Sequence, residues 1–248
     1  MSVMRAAITL ALLVGAAPAV AQTPSQSGAA RPVRVVVASG RLPSVVEAPL
    51  HFKLVRLSLP AGQSATHTGP DGMLYVMSGA LDIRLDSGRR TLRDGAAIFT
   101  PARGRAALTA TGGTPVVALH FMLVPTAELD GTGYDTSGNV AELYRAREPL
   151  PNLKSGMYEF TMTRVTVEKG VPRPPMHTRS GGALYYVQAG VWTLHMEGKS
   201  EPRARGTIQL EPNGFVHTWE NVGDSAGAIL QANVSPEGAP EIIPVQPR

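Results

Sequence analysis

Cysteine is absent from the 248 residues of the chain. Disulfide bonds, thiolate catalysis and the acylated cysteine of a lipoprotein are therefore excluded, and stability has to come from apolar cores. Other catalytic motifs are also missing: there is no H-E-x-x-H zinc motif and no phosphate-cradling glycine loop. The sequence thus lacks the motifs of a zincin and a P-loop protein.

Charge is sparse, whereas turn-forming residues are plentiful. Lys and Arg number 23 against 19 Asp and Glu, a formal net charge of +4. The basic residues are scattered, apart from short clusters at 103–105 and 203–205, so no nucleic-acid footprint is predicted. The chain contains 26 glycines and 21 prolines, and long helical periods are few. This composition predicts an all-β architecture with many turns.

The first residues have the pattern of an export signal. Arg5 is the only charge before an apolar run at 6–17, and the small residues at 19–21 suit cleavage. The run is too short to remain as a membrane anchor. We therefore predict a signal peptide over 1–21 and a periplasmic or secreted protein.

The remainder of the chain is an internal duplication. YVMSG, ending at Gly79, corresponds to YVQAG, ending at Gly190. One register kept through many turn residues indicates two copies of one unit, each with the pattern of a jelly-roll barrel. The same offset relates four further pairs: Gly95 and Gly206, Pro101 and Pro212, Gly112 and Gly223, and Pro125 and Pro236.

The predicted fold class is all-β, with two tandem jelly-roll barrels joined by a short helical linker. The helix is assigned to VAELYRAR, which is long enough for about two turns and is followed by Pro149. The predicted segments are a flexible leader at 22–33, an N-terminal barrel at 34–126, the linker at 127–152, a C-terminal barrel at 153–236 and a tail at 237–248.

The most informative motif lies in the second copy. It reads G-x5-P-x-G-x2-H-x3-N, from Gly206 through Pro212, Gly214 and His217 to Asn221. A strand, a tight turn and a second strand would aim the imidazole of His217 at a fixed point. This spacing resembles the second sequence motif of the cupin superfamily. Together with the duplication, the resemblance implies a two-domain cupin, or bicupin, over nearly all of the mature chain.

The resemblance also implies a metal site, from which this chain departs. The first cupin motif is usually G-x5-H-x-H-x3-E-x6-G, and its two histidines and glutamate join the histidine of the second motif as ligands. In the second copy His177 fits the first position, but Arg179 stands at the second histidine and Ala183 at the glutamate. His177 and His217 remain as candidate ligands for a weakly held divalent metal such as Fe, Mn or Zn.

Strand parity extends the candidate pocket, because residues two apart on a strand share a face. A guanidinium repels a divalent ion but offers a planar fork of donors to a carboxylate. The sequence therefore favours a small anionic or hydroxylated organic ligand in the C-terminal barrel. The predicted ligand-binding residues are His177, Arg179, Tyr185, His217 and Trp219.

The first copy retains less of the motif. His67 is its single motif histidine, Gly72 replaces the glutamate, and Ala106 replaces the last histidine. His67 and His120 are therefore predicted to serve packing or hydrogen bonding.

Three functions remain open. The first is a periplasmic module that binds a small-molecule ligand without redox chemistry. The second is a metal-dependent oxygenase, isomerase or lyase, in which His177 and His217 hold the metal with help from His195 or the substrate. The third is a structural protein whose barrels only mediate assembly. Cupins often dimerise through their outer sheets, and two barrels in one chain can imitate such a dimer, so a monomer or a homodimer is expected.

Overall fold

The computed structural model describes residues 31–42 and 49–245. The predicted signal peptide over 1–21 and most of the predicted leader lie outside these residues. Within the described ranges the chain is nearly all β, and no helix is long and apolar enough to cross a membrane. The strands form four five-stranded sheets. The sheets pair into two barrels, so the predicted all-β fold with tandem jelly rolls is confirmed.

Twenty strands follow one another along the described ranges. In chain order they are β1 (Val33–Leu42), β2 (Leu50–Leu59), β3 (Ser64–His67), β4 (Gly72–Ser78), β5 (Ala80–Leu85), β6 (Gly88–Leu92), β7 (Ala97–Thr100), β8 (Ala106–Thr111), β9 (Val116–Pro125), β10 (Tyr134–Thr136), β11 (Asn139–Arg145), β12 (Tyr158–Val167), β13 (His177–Arg179), β14 (Gly182–Ala189), β15 (Trp192–Met196), β16 (Lys199–Arg203), β17 (Ile208–Pro212), β18 (His217–Asn221), β19 (Gly227–Pro236) and β20 (Ile242–Pro244).

Each barrel consists of two facing sheets with the same strand order in both copies. The N-terminal barrel has the orders β11-β2-β9-β4-β7 and β10-β3-β8-β5-β6. The C-terminal barrel has the orders β1-β12-β19-β14-β17 and β16-β15-β18-β13-β20. Leu57, Leu74 and Leu108 are buried inside the first barrel, and Val187 and Leu194 inside the second. Alternation along the strands therefore directs one set of side chains into each barrel.

The edge strands are exchanged between the two copies. β1 precedes the first copy but pairs antiparallel with β12, the first strand of the second copy. β11 precedes the second copy and pairs with β2, the first strand of the first copy. The domain assignment therefore differs from the predicted one, because residues 34–42 belong to the C-terminal barrel. Pairing at a sheet edge is set by distant strands, so local sequence does not reveal it.

The predicted helix in the linker 127–152 is wrong. VAELYRAR lies largely in β11, and the only helical element in the part of the chain that the structure describes is a single 3₁₀ turn, Thr126–Glu128, where the linker begins. A segment this short gains little as an isolated helix. As a strand it satisfies the hydrogen-bonding edge of β2 and packs Leu143 and Tyr144 against a core. Tertiary pairing therefore overrides the helical propensity of the segment.

A fully buried lysine of the N-terminal barrel forms hydrogen bonds with this linker. Lys53 on β2 donates hydrogen bonds from Nζ to the carbonyl oxygens of Leu129 and Gly131, at 2.7 and 2.8 Å. The same Nζ lies 2.8 Å from a carboxylate oxygen of Glu142 on β11. These contacts give the buried ammonium hydrogen-bond acceptors and a negative charge, which compensate for its lost hydration.

The two barrels meet through their outer sheets in a shared apolar core. Phe52 and Phe121 from the N-terminal barrel belong to the same buried cluster as Phe160 and Leu230 from the C-terminal barrel. The rings of Phe52 and Phe160 lie 6.2 Å apart. The outer faces are thus covered inside one chain.

Part of the predicted tail at 237–248 also forms structure. β20 pairs with β13, so that Arg179 is opposite Ile242 and His177 is opposite Pro244. Residues 246–248 lie outside the described ranges. β20 therefore supports β13, the strand that carries the candidate site residues His177 and Arg179.

Candidate functional site

A cavity of about 380 Å³ lies in the C-terminal barrel. Its walls are mainly apolar, and they come from the barrel interior, from the proline-rich segment before β13 and from the ends of β1 and β20. Four of the five predicted ligand-binding residues line it: His177, Arg179, Tyr185 and Trp219. The fifth, His217, is fully buried and does not line the cavity.

His177 and His217 are brought together by strand pairing. They are register partners on β13 and β18, and their ring centroids lie 4.6 Å apart. Each ring is oriented by a backbone carbonyl two residues earlier: Nδ1 of His177 is 3.1 Å from the oxygen of Pro175, and Nδ1 of His217 is 2.9 Å from that of Phe215. Burial lowers the pKa of His177 to about 4. At neutral pH this imidazole is therefore uncharged, with Nδ1–H donating and Nε2 left as an acceptor.

Arg179 is buried and forms an ion pair with Glu211. Nε of Arg179 donates to Oε2 of Glu211 at 3.0 Å, and the two side chains are 2% and 0% exposed. The guanidinium also lies over the ring of Tyr185, 5.3 Å from its centroid. A cation above an aromatic face is attracted by the ring quadrupole. The guanidinium is therefore held in place from two sides.

The aromatic side chains form a stack next to this ion pair. The rings of Tyr185 and Trp219 are nearly parallel, with an interplanar angle of 5° and centroids 5.3 Å apart. Nε1 of Trp219 donates to Oε1 of Glu211 at 2.6 Å. Trp192 meets Trp219 edge to face at 6.3 Å. These contacts fix the rings on one wall of the cavity.

Glu211 is the residue that sequence reasoning missed. It lies at the end of β17 beside Pro212 of the cupin-like motif, and it is fully buried. Burial alone would raise its pKa, but the charge of Arg179, the adjacent His217 and the hydrogen bond from Trp219 lower the pKa below its ordinary value. Glu211 is therefore an anion at neutral pH. A carboxylate among the apolar residues Ile208, Leu210 and Pro212 of β17 was the available signal.

Glu211 also contacts the second histidine. Nε2 of His217 lies 2.8 Å from Oε2 of Glu211, although the angle is not that of a well-directed hydrogen bond. Oε2 thus faces both Arg179 and His217, while Oε1 faces Trp219. Both carboxylate oxygens have partners from the protein.

Four buried polar atoms of the cavity-lining residues have no hydrogen-bond partner within the described ranges. They are Nε2 of His177, Nη1 of Arg179, the hydroxyl of Tyr185 and Oε1 of Gln231. An unsatisfied buried polar group costs about 1–3 kcal/mol. Such groups are expected where a ligand completes the hydrogen bonding.

His195 does not join this site. Its Nδ1 is 2.9 Å from the hydroxyl of Ser200, and its Nε2 is 2.8 Å from a carboxylate oxygen of Glu220. Both ring nitrogens are thus engaged away from the histidine pair. The structure gives His195 no place as an additional ligand beside His177 and His217.

The residues present do not fit a divalent metal. Within 31–42 and 49–245, no group of three or more His, Cys, Asp or Glu side chains is arranged to hold an ion. Glu211 is already engaged by Arg179, His217 and Trp219. A divalent ion about 4 Å from the guanidinium would be repelled by about 8 kcal/mol at an effective dielectric constant of about 20. We therefore assign no metal-dependent step to this site.

The N-terminal barrel contains a packed polar cluster instead. His120 is bonded at both ring nitrogens, to the hydroxyl of Thr100 and to the hydroxyl of Tyr134, each at 2.8 Å. His67 packs edge to face against His120, with ring centroids 4.6 Å apart. Burial lowers the pKa of His67 to about 4 and that of His120 well below its ordinary value. Both imidazoles are neutral, and His120 has the hydrogen-bonding role expected for it.

The edge of the cavity is basic. Arg31, Arg34 and Arg173 line it, and Arg34 is the one with an ion pair, 3.3 Å from Glu241. For Arg31 and Arg173, no carboxylate partner lies within the described ranges. Glu241 also accepts a hydrogen bond from Thr161 at 2.5 Å. It therefore links β1, β12 and the end of the chain next to the cavity.

Two jelly-roll barrels, exchanged edge strands and a histidine pair at the motif positions define the fold as that of a two-domain cupin. No protein-family model matches the sequence, and no curated protein is detectably similar to it.

Solved structures share the architecture at very low sequence identity. Oxalate decarboxylase of Bacillus subtilis, studied for its Mn(II) centres, is 10% identical with a TM-score of 0.54, covering 83% of this chain and 79% of its own. The formate complex of Lactobacillus farciminis oxalate decarboxylase is 9% identical with a TM-score of 0.56, covering 83% and 88%. A putative glyoxylate-induced protein of Pseudomonas aeruginosa is 13% identical with a TM-score of 0.52, covering 82% of both chains. These similarities establish the fold.

Proposed function

We propose that the C-terminal barrel binds a small organic anion that also carries a hydroxyl group. The observation that carries this proposal is Arg179, a permanent cation lining an apolar cavity, whose Nη1 has no hydrogen-bond partner within the described ranges. The pair with Glu211 uses Nε, so a second edge of the guanidinium remains for a ligand. Hydrogen bonds from a guanidinium to a carboxylate are among the strongest in proteins.

Two further unbonded atoms, on Tyr185 and His177, favour a hydroxyl group on the ligand, and Oε1 of Gln231 is a third such atom. The hydroxyl of Tyr185, whose ring lies below the guanidinium, is a donor that suits a second carboxylate oxygen. Nε2 of neutral His177 is an acceptor, so it suits a donor such as an alcohol. A hydroxycarboxylate supplies both kinds of group in one small molecule.

Cavity size and surrounding charge agree with such a ligand. Ligand pockets measure about 300–1,000 Å³, so a cavity of about 380 Å³ suits a small molecule. Arg31 and Arg173 at its edge would attract an anion during the encounter. The stacked Tyr185 and Trp219 rings provide an apolar wall for the carbon skeleton of the ligand.

Location and assembly form part of the proposal. The export signal predicted at 1–21 supports binding in the periplasm or outside the cell. The shared core between the outer sheets supports a monomer, because that contact is made inside one chain. Light scattering coupled to gel filtration would test the monomer against a homodimer.

Matched pairs of acids test the ligand class. Purified protein is titrated calorimetrically with malate and succinate, and with lactate and propionate, which differ only by a hydroxyl group. We expect each hydroxy acid to bind about fivefold to tenfold more tightly than its partner, the worth of about one hydrogen bond. Neutral polyols without a carboxylate should bind far more weakly.

Variants locate the binding. Arg179→Gln should abolish binding of the acids, whereas Arg205→Gln, at an exposed arginine outside the cavity lining, should leave it unchanged. Equal affinities for hydroxylated and unsubstituted acids would refute the role of the hydroxyl group. Binding that survives in a folded Arg179→Gln protein would refute the site.

A further inference from the structure

The missing metal-ligand carboxylate of the C-terminal barrel is replaced by one on the neighbouring strand. Ala183 occupies the position where the cupin pattern has its glutamate, and its register partner on β17 is Glu211. Ala183 is fully buried and has only a methyl side chain. Glu211 places its carboxylate beside His217 and Arg179. The carboxylate has therefore been moved across one strand pair.

A cation is present at the same place. Arg179 stands at the second histidine position of the pattern, and its guanidinium is paired with Glu211. The side chains of the pair are 2% and 0% exposed. A buried carboxylate requires a compensating positive charge. Here a side chain provides it.

We infer that the Arg179 guanidinium takes the place of a bound divalent cation, with Glu211 as the relocated carboxylate, and that Arg179 is what excludes metal from this barrel. The rings of His177 and His217 lie 4.6 Å apart, and Nε2 of His217 lies 2.8 Å from the Glu211 carboxylate. Replacing the guanidinium with an imidazole would complete a set of three histidines and one carboxylate. Such a set is a competent ligand sphere for a transition metal.

One substitution tests this inference. Arg179→His and the native protein are dialysed against Co(II), and bound metal is measured by elemental analysis and by the visible absorption of coordinated Co(II). We expect about one equivalent in Arg179→His and less than about a tenth in the native protein. Metal should also raise the melting temperature of Arg179→His and leave that of the native protein unchanged.

A second substitution tests the role of Glu211. The double variant Arg179→His with Glu211→Gln keeps the three imidazoles but removes the carboxylate, so its Co(II) affinity should fall by at least about tenfold. Unchanged affinity in the double variant would overturn the assignment of Glu211. About one equivalent of Co(II) in the native protein, lost on mutation of His177 and His217, would overturn the inference as a whole.

Two further variants keep the test decisive if Arg179→His fails to fold. Arg179→Lys retains a cation and should exclude Co(II), whereas Arg179→Gln removes the cation and should bind Co(II) weakly through the three remaining donors. Equal exclusion by folded Lys and Gln variants would contradict the role of the positive charge. These readouts are independent of the proposed acid binding, since a protein that binds no acid can still exclude metal through Arg179.

Discussion

We predict that the hydroxyl of Tyr185 lowers the free energy of unfolding of the unliganded protein. This side chain is fully buried, and its oxygen has no partner within the described ranges. The Tyr185→Phe substitution removes the oxygen and leaves the stack on Trp219 and the Arg179–Glu211 pair in place. In most folded proteins, removing a buried tyrosine hydroxyl lowers stability. Here we expect the opposite.

The magnitude follows from the buried oxygen. Leaving such a group unsatisfied costs about 1–3 kcal/mol, part of which returns as a small gap when the oxygen is removed. We expect the free energy of unfolding to rise by about 1 kcal/mol, which corresponds to about 2–4 °C in the melting temperature of a chain this long. The affinity for a hydroxycarboxylate should fall by about tenfold at the same time, since one donor to the ligand is lost.

Calorimetry and urea denaturation of the unliganded proteins provide the measurement. Tyr75→Phe is the matched control, because Tyr75 is equally buried but its hydroxyl accepts a hydrogen bond from Gln188 at 3.1 Å. That variant should lose about 0.5–1.5 kcal/mol. A loss of similar size in Tyr185→Phe would refute our reading, because it would mean that the Tyr185 hydroxyl is already satisfied.

Two predictions concern the N-terminal barrel. A Cβ at Gly72 would lie 2.1 Å from Nε2 of His120, so Gly72→Ala should displace an imidazole with two buried hydrogen bonds and lower stability by about 2–3 kcal/mol in urea denaturation. Burial lowers the pKa of His67 from 6.5 to about 4. The contribution of this neutral imidazole to the free energy of unfolding should therefore be fully present above about pH 6.5 and should fall by about 3 kcal/mol toward pH 4. His67→Gln should flatten that part of the stability profile, and an unchanged profile would contradict the shift.

Sequence patterns were most informative where structure depends on local turns. Gly206, Pro212 and Gly214 lie at turns or strand ends, and they place His217 at the start of β18 as the spacing predicts. Gly206 and Gly214 both have positive φ, at 86° and 82°, which favours glycine. Turns of this kind can be predicted from the sequence, because glycine and proline each favour particular backbone conformations.

The features that sequence analysis missed depend on contacts between strands that are distant in sequence. Glu211 lies 32 residues from Arg179 in sequence, and no spacing rule connects the two. Their contact is made across the barrel, between β13 of one sheet and β17 of the facing sheet. The β11 segment was misassigned for the same reason, since only the open edge of β2 makes it a strand. Local propensity cannot supply information that belongs to a distant strand.

Equivalent positions of the two barrels are surrounded by neutral side chains in one copy and by a buried ion pair in the other. Gly72 and Ala183 are equivalent positions of the duplication, and their register partners are Thr100 and Glu211. In the N-terminal barrel the space beside the small residue is filled by neutral His120, bonded to Thr100.

In the C-terminal barrel the register partner is charged, and a buried carboxylate is stable only with a cation beside it. Thr100 needs no such partner, so the N-terminal barrel could close around hydrogen bonds alone. Glu211 requires Arg179, and the ion pair lies beside a cavity instead of a filled core. Exchange of this one position between the copies, Glu211→Thr, should therefore leave Arg179 as an unpaired buried cation and destabilise the C-terminal barrel by about 3–5 kcal/mol in urea denaturation. A loss below about 1 kcal/mol would show that Arg179 does not depend on Glu211.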